Sequence, residues 1–371
     1  MSDIHDRLIA FTRGVPPAES FPVAELEECY AAALDRDAAG VLQYGHQPGY
    51  LPLREYLAEE YSAHISEVMV SNGSLQIQDL LAGCFVRPGM TVIVEQPSYD
   101  RSIAVFRRHG ARVVGVPLEA DGLDVGRLEE LLKRDGAPAF LYVIPDFQNP
   151  TGITMSLEKR QRVLELADRY GFLILEDVPY RKLRYRGEQL PMLRELDPTH
   201  VIMLSSYSKL ISPGMRVGFA VGGGDIIADL VQLAEDSYLA PVLPTQATVY
   251  EFEQRGLLAP RVEQLLALYR PRLAAAVAAC RKHLPEAKFA PPDGGFFVGL
   301  TLPADVHLAD LAERARRVGL ALTPGHEFFA DADVDAPGVS HGDRFVRLPF
   351  CALQSDEIEE GVRRLAKSVR S

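Results

Sequence analysis

Between Val68 and Val221 the chain alternates short apolar runs with amphipathic stretches, and this alternation limits its fold more than any other feature. Val68–Val70, Thr91–Val94, Arg112–Val116, Phe140–Ile144, Phe172–Leu175, Val201–Leu204 and Val217–Val221 read as strands. Leu75–Phe85, Ser102–His109, Leu123–Lys133 and Leu157–Tyr170 read as helices. Apolar runs this short, with no polar alternation, mark strands buried on both faces. Strands alternating with helices build βαβ units, so the expected class is α/β with a mainly parallel sheet. Such sheets bind ligands beyond the ends of their strands, where loops begin. The residues just after each apolar run are therefore the place to look for chemistry.

The C-terminal third follows another pattern. A long Ala/Leu/Arg-rich helix is expected over Ala259–His283, then Gly294-Gly-Phe-Phe297, a short helix near Leu308–Val318, a strand near Arg344–Leu348 and a final helix from Ser355. This reads as a smaller α+β domain, and 371 residues exceed the usual size of one core. The net charge of −12 argues against coating nucleic acid or an anionic membrane, although one local basic site suffices to hold a phosphate. Cys29, Cys84, Cys280 and Cys351 lie far apart without metal-ligand spacing, which predicts reduced thiols and no metal. The N-terminus lacks a basic segment followed by an apolar run, and no stretch approaches the ~20 apolar residues of a membrane span. A cytoplasmic protein with no nucleic-acid or membrane partner is expected. Gly222-Gly-Gly224 reads as a turn, because no Lys-Ser/Thr pair follows to make a phosphate loop.

The chemistry concentrates after Val201–Leu204, at Ser205-Ser-Tyr-Ser-Lys209, with Pro213-Gly214 and Arg216 before the next strand. Two hydroxyls, an amine and a guanidinium meet at one strand end. Serine and arginine suit a phosphate, and a lysine there can form a Schiff base with a carbonyl. Phosphate and aldehyde in one ligand point to pyridoxal 5'-phosphate. That cofactor needs a carboxylate facing its ring nitrogen, and Asp177 ends an apolar strand; an isolated Asp there more commonly caps a turn. It needs donors to its phenolic oxygen, and Tyr180 and Asn149 follow two strands; Asn149 before Pro150 also reads as a turn residue. Backbone donors at a helix start come from Asn72-Gly73-Ser74-Leu75. Tyr99, after the strand Thr91–Val94, offers a stacking face or serves as a core aromatic.

Taken in order, Tyr44 with Gly49-Tyr50 and Leu53-Arg54, Gly73-Ser74, Pro97 with Tyr99, Asn149-Pro-Thr-Gly152, Asp177 with Tyr180, Ser206-x-Ser208-Lys209 with Arg216, Gly294-Gly295 and Arg347 resemble the fold-type I, class I/II aminotransferases that use pyridoxal phosphate. The wording Phe147-Gln-Asn-Pro-Thr-Gly152 is most similar to the α-aminoadipate/kynurenine subgroup. The resemblance spans nearly the whole chain. It implies that Lys209 holds the cofactor as a Schiff base and then shuttles the proton, while Asp177 pairs with the ring nitrogen. Tyr180 and Asn149 would bond the phenolic oxygen, and Tyr99 would stack on the ring. Gly73, Ser74, Leu75, Ser206, Ser208 and Arg216 would cradle the phosphate, and Arg347 would grip the substrate carboxylate. It also implies a homodimer in which Tyr44 reaches the neighbouring subunit's phosphate. The substrates would be an L-amino acid and a 2-oxo acid.

By the same resemblance a large domain would cover residues 31–265, and residues 1–30 with 266–371 would form a small one. Phe11–Pro22 matches the family segment lying over the site, which makes Gly14 and Arg13 candidate substrate contacts and Thr12–Pro22 a candidate lid. Arg13 stands where the subgroup commonly has glycine, within reach of a distal carboxylate or of the rim alone. His46-Gln47 adds a variable polar loop. Only about ten residues precede the Phe11 segment, fewer than aminoadipate-type members carry. Two other outcomes fit the core motifs. One is elimination, decarboxylation or cyclisation with the same cofactor. The other is a cofactor-binding sensor domain, against which stand the acidic charge and the early start of the enzyme-like region.

Overall fold

The structure, a computed structural model, describes residues 7–303, 308–330, 332–333 and 341–370. Residues 1–6, which carry part of the reading on targeting segments, lie outside the described residues.

A nine-stranded sheet forms the body. Its order is Ala332–Asp333, Arg112–Glu119, Thr91–Gln96, Phe140–Val143, Leu173–Asp177, Val201–Ser206, Gly218–Val221 and Val68–Ser71, with Gly122–Leu123 paired off the path to Arg112–Glu119. Pairing is parallel from the first of these through Val201–Ser206; Gly218–Val221 runs antiparallel to both its neighbours. Successive residues of the central strands enter different cores. Val92, Val94, Phe140 and Tyr142 pack on one face, and Ile93, Leu141 and Val143 on the other. Side chains alternate across a strand, so two apolar faces require an unbroken apolar run. That is the pattern the sequence carries.

Two expected helices start two residues away from the predicted position. Val125–Asp135 begins after Asp124, whose side chain accepts from the Arg127 amide at 3.0 Å, and Leu123 belongs to the short strand. A carboxylate at the N-cap satisfies a donor the helix leaves open. The next helix back runs Asp100–Arg108, directly after Tyr99. Gly222-Gly223 turns as expected, but Gly224 already opens the helix Gly224–Tyr238.

Outside the large sheet, Ile9–Phe11 pairs in parallel with Leu320–Leu322, and Phe297–Thr301 pairs antiparallel with Phe345–Pro349. The helix Leu258–His283 packs on Ser355–Arg370. The C-terminal third also sends Ala332–Asp333 back to the edge of the large sheet. Among the described helices none is long and apolar enough to cross a membrane.

Candidate active site

Five strand ends converge on a cavity of about 280 Å³, lined among others by Ser74, Leu75, Tyr99, Asn149, Asp177, Tyr180, Ser206, Ser208, Lys209 and Arg216. A neighbouring cleft of about 610 Å³ shares Leu75, Tyr99, Asn149, Tyr180 and Lys209 with it and adds Arg13, Gly14 and Arg347. Of the residues that the resemblance gives a cofactor or substrate contact, these two spaces bring together all but Gly73 and Tyr44. Gly73 stands behind the wall, whereas Tyr44 is 76% exposed on a loop and outside both cavities.

At one end, Gly73 precedes the helix Ser74–Phe85 with φ +100°, a conformation that favours glycine. A Cβ there would lie 2.2 Å from Arg216 Nη2, so glycine also makes room for the guanidinium. Arg216 itself has φ +52°, and its Nη2 donates to the Asn72 carbonyl at 2.9 Å. A left-handed arginine is strained, a feature that concentrates at ligand sites. Ser206 Oγ donates to the Val217 carbonyl at 3.1 Å, stands 2.9 Å from Ser208 Oγ and accepts from the Ser208 amide at 3.1 Å. Hydroxyls, a guanidinium and a helix start thus surround one pocket end, the donor set an anion requires.

At the other end, Asp177 is buried, and burial pushes its carboxyl up to about 7. Tyr142 Oη and Gln78 Nε2 donate to its Oδ2 at 2.8 and 3.1 Å, while Oδ1 has no partner among the described residues. A buried carboxylate oxygen without a donor is costly unless a ligand supplies one. Lys209 lies between the two ends. Burial, helped by the charges of Arg347 and Arg216, draws its amine below the usual lysine value. Its Nζ donates to the Gly14 carbonyl at 3.3 Å. Tyr99 and Tyr180 keep their protons, since burial raises Tyr99 to about 12 and Tyr180 well above the phenol value.

Arg347 packs against two rings, 4.8 Å from the Phe297 centroid and 4.5 Å from Phe328. Its Nη1 donates to Asn149 Oδ1 at 3.0 Å and its Nη2 to the Thr12 carbonyl at 2.6 Å, but its buried Nε has no partner among the described residues. The guanidinium therefore has donors to spare for a carboxylate. Gly14 admits no side chain, because a Cβ would lie 2.2 Å from the Phe297 ring. Arg13 is exposed at the mouth and has no hydrogen bond or ion pair among the described residues.

Several site residues escaped the sequence reading: Gln78, Ser102 and Tyr142 around Asp177, and Phe297 and Phe328 around Arg347. Gln78 was within reach of periodicity, since it lies four residues after Ser74 on one helix face. The others come from separate elements and carry no local signal.

The orphaned carboxylate oxygen, the anion cradle and the buried amine between them fit pyridoxal phosphate. Comparison with known proteins agrees. Residues 7–365 match the family model described as aminotransferase class I and II. The chain is 34% identical over 375 residues to aromatic-amino-acid aminotransferase 1 of Thermococcus litoralis, covering 98% of this chain and 88% of that protein. It is 36% identical over 368 residues to the 2-aminoadipate transaminase of Thermus thermophilus, covering 98% and 90%. The crystal structure of LysN, the α-aminoadipate aminotransferase of Thermus thermophilus complexed with N-(5'-phosphopyridoxyl)-L-leucine, superposes with a TM-score of 0.91 at 36% identity, covering 98% of this chain and 92% of that one.

Proposed function

The chain belongs to the class I and II aminotransferases, which pass an amino group from an amino acid to a 2-oxo acid, and we propose that Lys209, Asp177 and Arg347 carry that transfer here. The observation that supports this most is the partnerless Asp177 Oδ1, which lies in the wall of the same cavity as Lys209. When bound, pyridoxal phosphate supplies an aldehyde that takes up the amino group and a ring that withdraws electrons from the substrate Cα.

The protein's share is positioning and proton transfer. Arg216, Ser206, Ser208 and the first-turn amides of Ser74 and Leu75 would hold the phosphate. Asp177 Oδ1 would accept the ring N–H and keep that nitrogen protonated. Tyr180 and Asn149 would hydrogen-bond the phenolic oxygen, and Tyr99 would lie against the ring. Arg347 would bind the substrate carboxylate through Nε and Nη2, with Phe297 and Phe328 packed against the guanidinium. Lys209 Nζ, its proton affinity lowered by burial, would take the Cα proton as a base.

The full reading includes a cytoplasmic homodimer in which Tyr44 completes the neighbouring subunit's phosphate site. Exposed Leu42, Tyr44, Leu239 and Val242 suit such a covered face. It includes a large domain over 31–265, a small one from 1–30 and 266–371, and Thr12–Pro22 as lid over the site. Thr12 and Gly14 already touch Arg347 and Lys209 through their carbonyls. The test is an absorbance titration of the yellow holoenzyme with single amino acids, with the Lys209→Ala variant beside it. Bleaching that yields pyridoxamine phosphate and a 2-oxo acid, absent in the variant, is expected. Turnover retained by Lys209→Ala, or release of ammonia or carbon dioxide instead, refutes the assignment.

A further inference from the structure

The carboxylate of Asp177 is held by a buried polar network that the reaction scheme above leaves without a role. Gln78 Nε2 and Tyr142 Oη both donate to Oδ2. Ser102 Oγ donates to Gln78 Oε1 at 2.6 Å. Gln78, Ser102 and Tyr142 are at most 1% exposed. They come from three different elements: the helix Ser74–Phe85, the helix Asp100–Arg108 and the strand Phe140–Val143. Two donors thus occupy one carboxylate oxygen and leave the other to the cavity.

We propose that Gln78 and Ser102 are positioning residues that, together with Tyr142, keep Asp177 ionised and turn its Oδ1 toward the cofactor's ring nitrogen. This rests on the cofactor reading above.

The chemistry follows from donor counts. An ionised carboxylate only accepts, so the Gln78 amide must present its NH₂ to it. Ser102 secures that orientation by donating to the amide oxygen. Without Ser102 the amide is free to rotate and set Oε1 against the carboxylate, which repels it. Hydrogen bonds to the charged form favour that form, whereas burial favours the neutral acid. Lys209, Tyr99 and Tyr180 are the other ionisable groups acting on Asp177, and the Tyr142 phenol remains a neutral donor because burial holds it well above its usual value. Removing the Gln78 donor therefore raises the proton affinity of Asp177. In a contact between Asp177 and a ring nitrogen, the shared proton then moves from nitrogen to oxygen. No co-reactant is needed, since one proton merely changes its host.

The experiment reconstitutes the enzyme with pyridoxal phosphate labelled with nitrogen-15 in its ring and reads that nitrogen's chemical shift. Gln78→Leu keeps the bulk and deletes the donor; Ser102→Ala frees the amide; Ser102→Thr restores the hydroxyl. The ring nitrogen is expected to be protonated in the wild type, displaced toward the unprotonated shift in Gln78→Leu, intermediate in Ser102→Ala and restored in Ser102→Thr. In turnover, kcat falls about tenfold to a hundredfold in Gln78→Leu while the KM for amino acid stays within about twofold. A wild-type nitrogen shift in Gln78→Leu overturns the proposal. Should that variant fail to fold, a wild-type shift in Ser102→Ala overturns it equally. An unprotonated ring nitrogen in the wild type sinks the Asp177 assignment itself, a failure distinct from that of the network.

Discussion

Replacing Arg347 by lysine keeps a positive charge in place and removes only the planar fork. The native guanidinium uses Nη1 on Asn149 and one Nη2 hydrogen on the Thr12 carbonyl, which leaves Nε and the second Nη2 hydrogen uncommitted on the Nε–Nη2 edge. A substrate carboxylate fits that edge with two parallel bonds. Lysine has three donors, and Asn149 and Thr12 compete for two of them, so one bond to the carboxylate is lost. A hydrogen bond to a charged group is worth about 1.5–3 kcal/mol, hence about a tenfold to 150-fold fall in kcat/KM. Arg347→Ala removes both bonds and strands the carboxylate in an apolar clamp, a loss of about 2–5 kcal/mol. The assay is the absorbance change of the cofactor-loaded enzyme with an L-amino acid, run beside the corresponding amine lacking the carboxylate. The amino acid should lose its advantage over the amine in step with the substitution, and cofactor binding should not change. An equal loss for both compounds, or none for either, refutes the carboxylate assignment.

Three further outcomes follow from the geometry. The Asp177 carboxyl is raised from 3.8 to about 7 in the folded apoenzyme. Its folded form binds the proton more tightly, so the stability it lends is full below the unfolded pKa and is lost as pH rises through about 7. Asp177→Asn should therefore melt above wild-type apoenzyme at pH 8, with the gain vanishing toward pH 4; a gain independent of pH removes the basis of this argument. Gly73→Ala places a Cβ 2.2 Å from Arg216 Nη2 at φ +100°, and should weaken cofactor binding at least about tenfold by equilibrium dialysis, a shift of ~1.4 kcal/mol. Arg13→Gly should lower kcat/KM for amino acids with a distal carboxylate by up to about fivefold, the scale of an exposed ion pair, and leave apolar ones unchanged; an equal effect on both classes excludes a side-chain contact.

The parts of the site that sequence made legible share a location. Asp177 and Ser206 end apolar strands, and Tyr180, Asn149, Lys209 and Ser208 follow them closely, so a local run of residues places them at the sheet's ligand-binding end. Arg216 was legible through the Pro-Gly turn before it. What stayed hidden depends on packing between elements. Nothing near Ser102 announces a bond to Gln78, 24 residues away. The clamp on Arg347 needs Phe297 and Phe328 from two further segments. Tyr44, legible only through resemblance, stays exposed and apart from the site of its own subunit.

Sequence by itself determined the α/β alternation, because strands with two buried faces must be apolar over most of their length, and that requirement is written residue by residue. It also determined the inventory of amine, carboxylate, hydroxyls and guanidinium at the strand ends. Only tertiary structure decided how those groups are charged and aimed. The Gly14 carbonyl reaches Lys209 across 195 residues, and the Thr12 carbonyl meets Arg347 across 335. Burial then lowers the proton affinity of one group and raises that of another. Such effects depend on the water excluded and the donors met in space, which no local stretch of chain encodes.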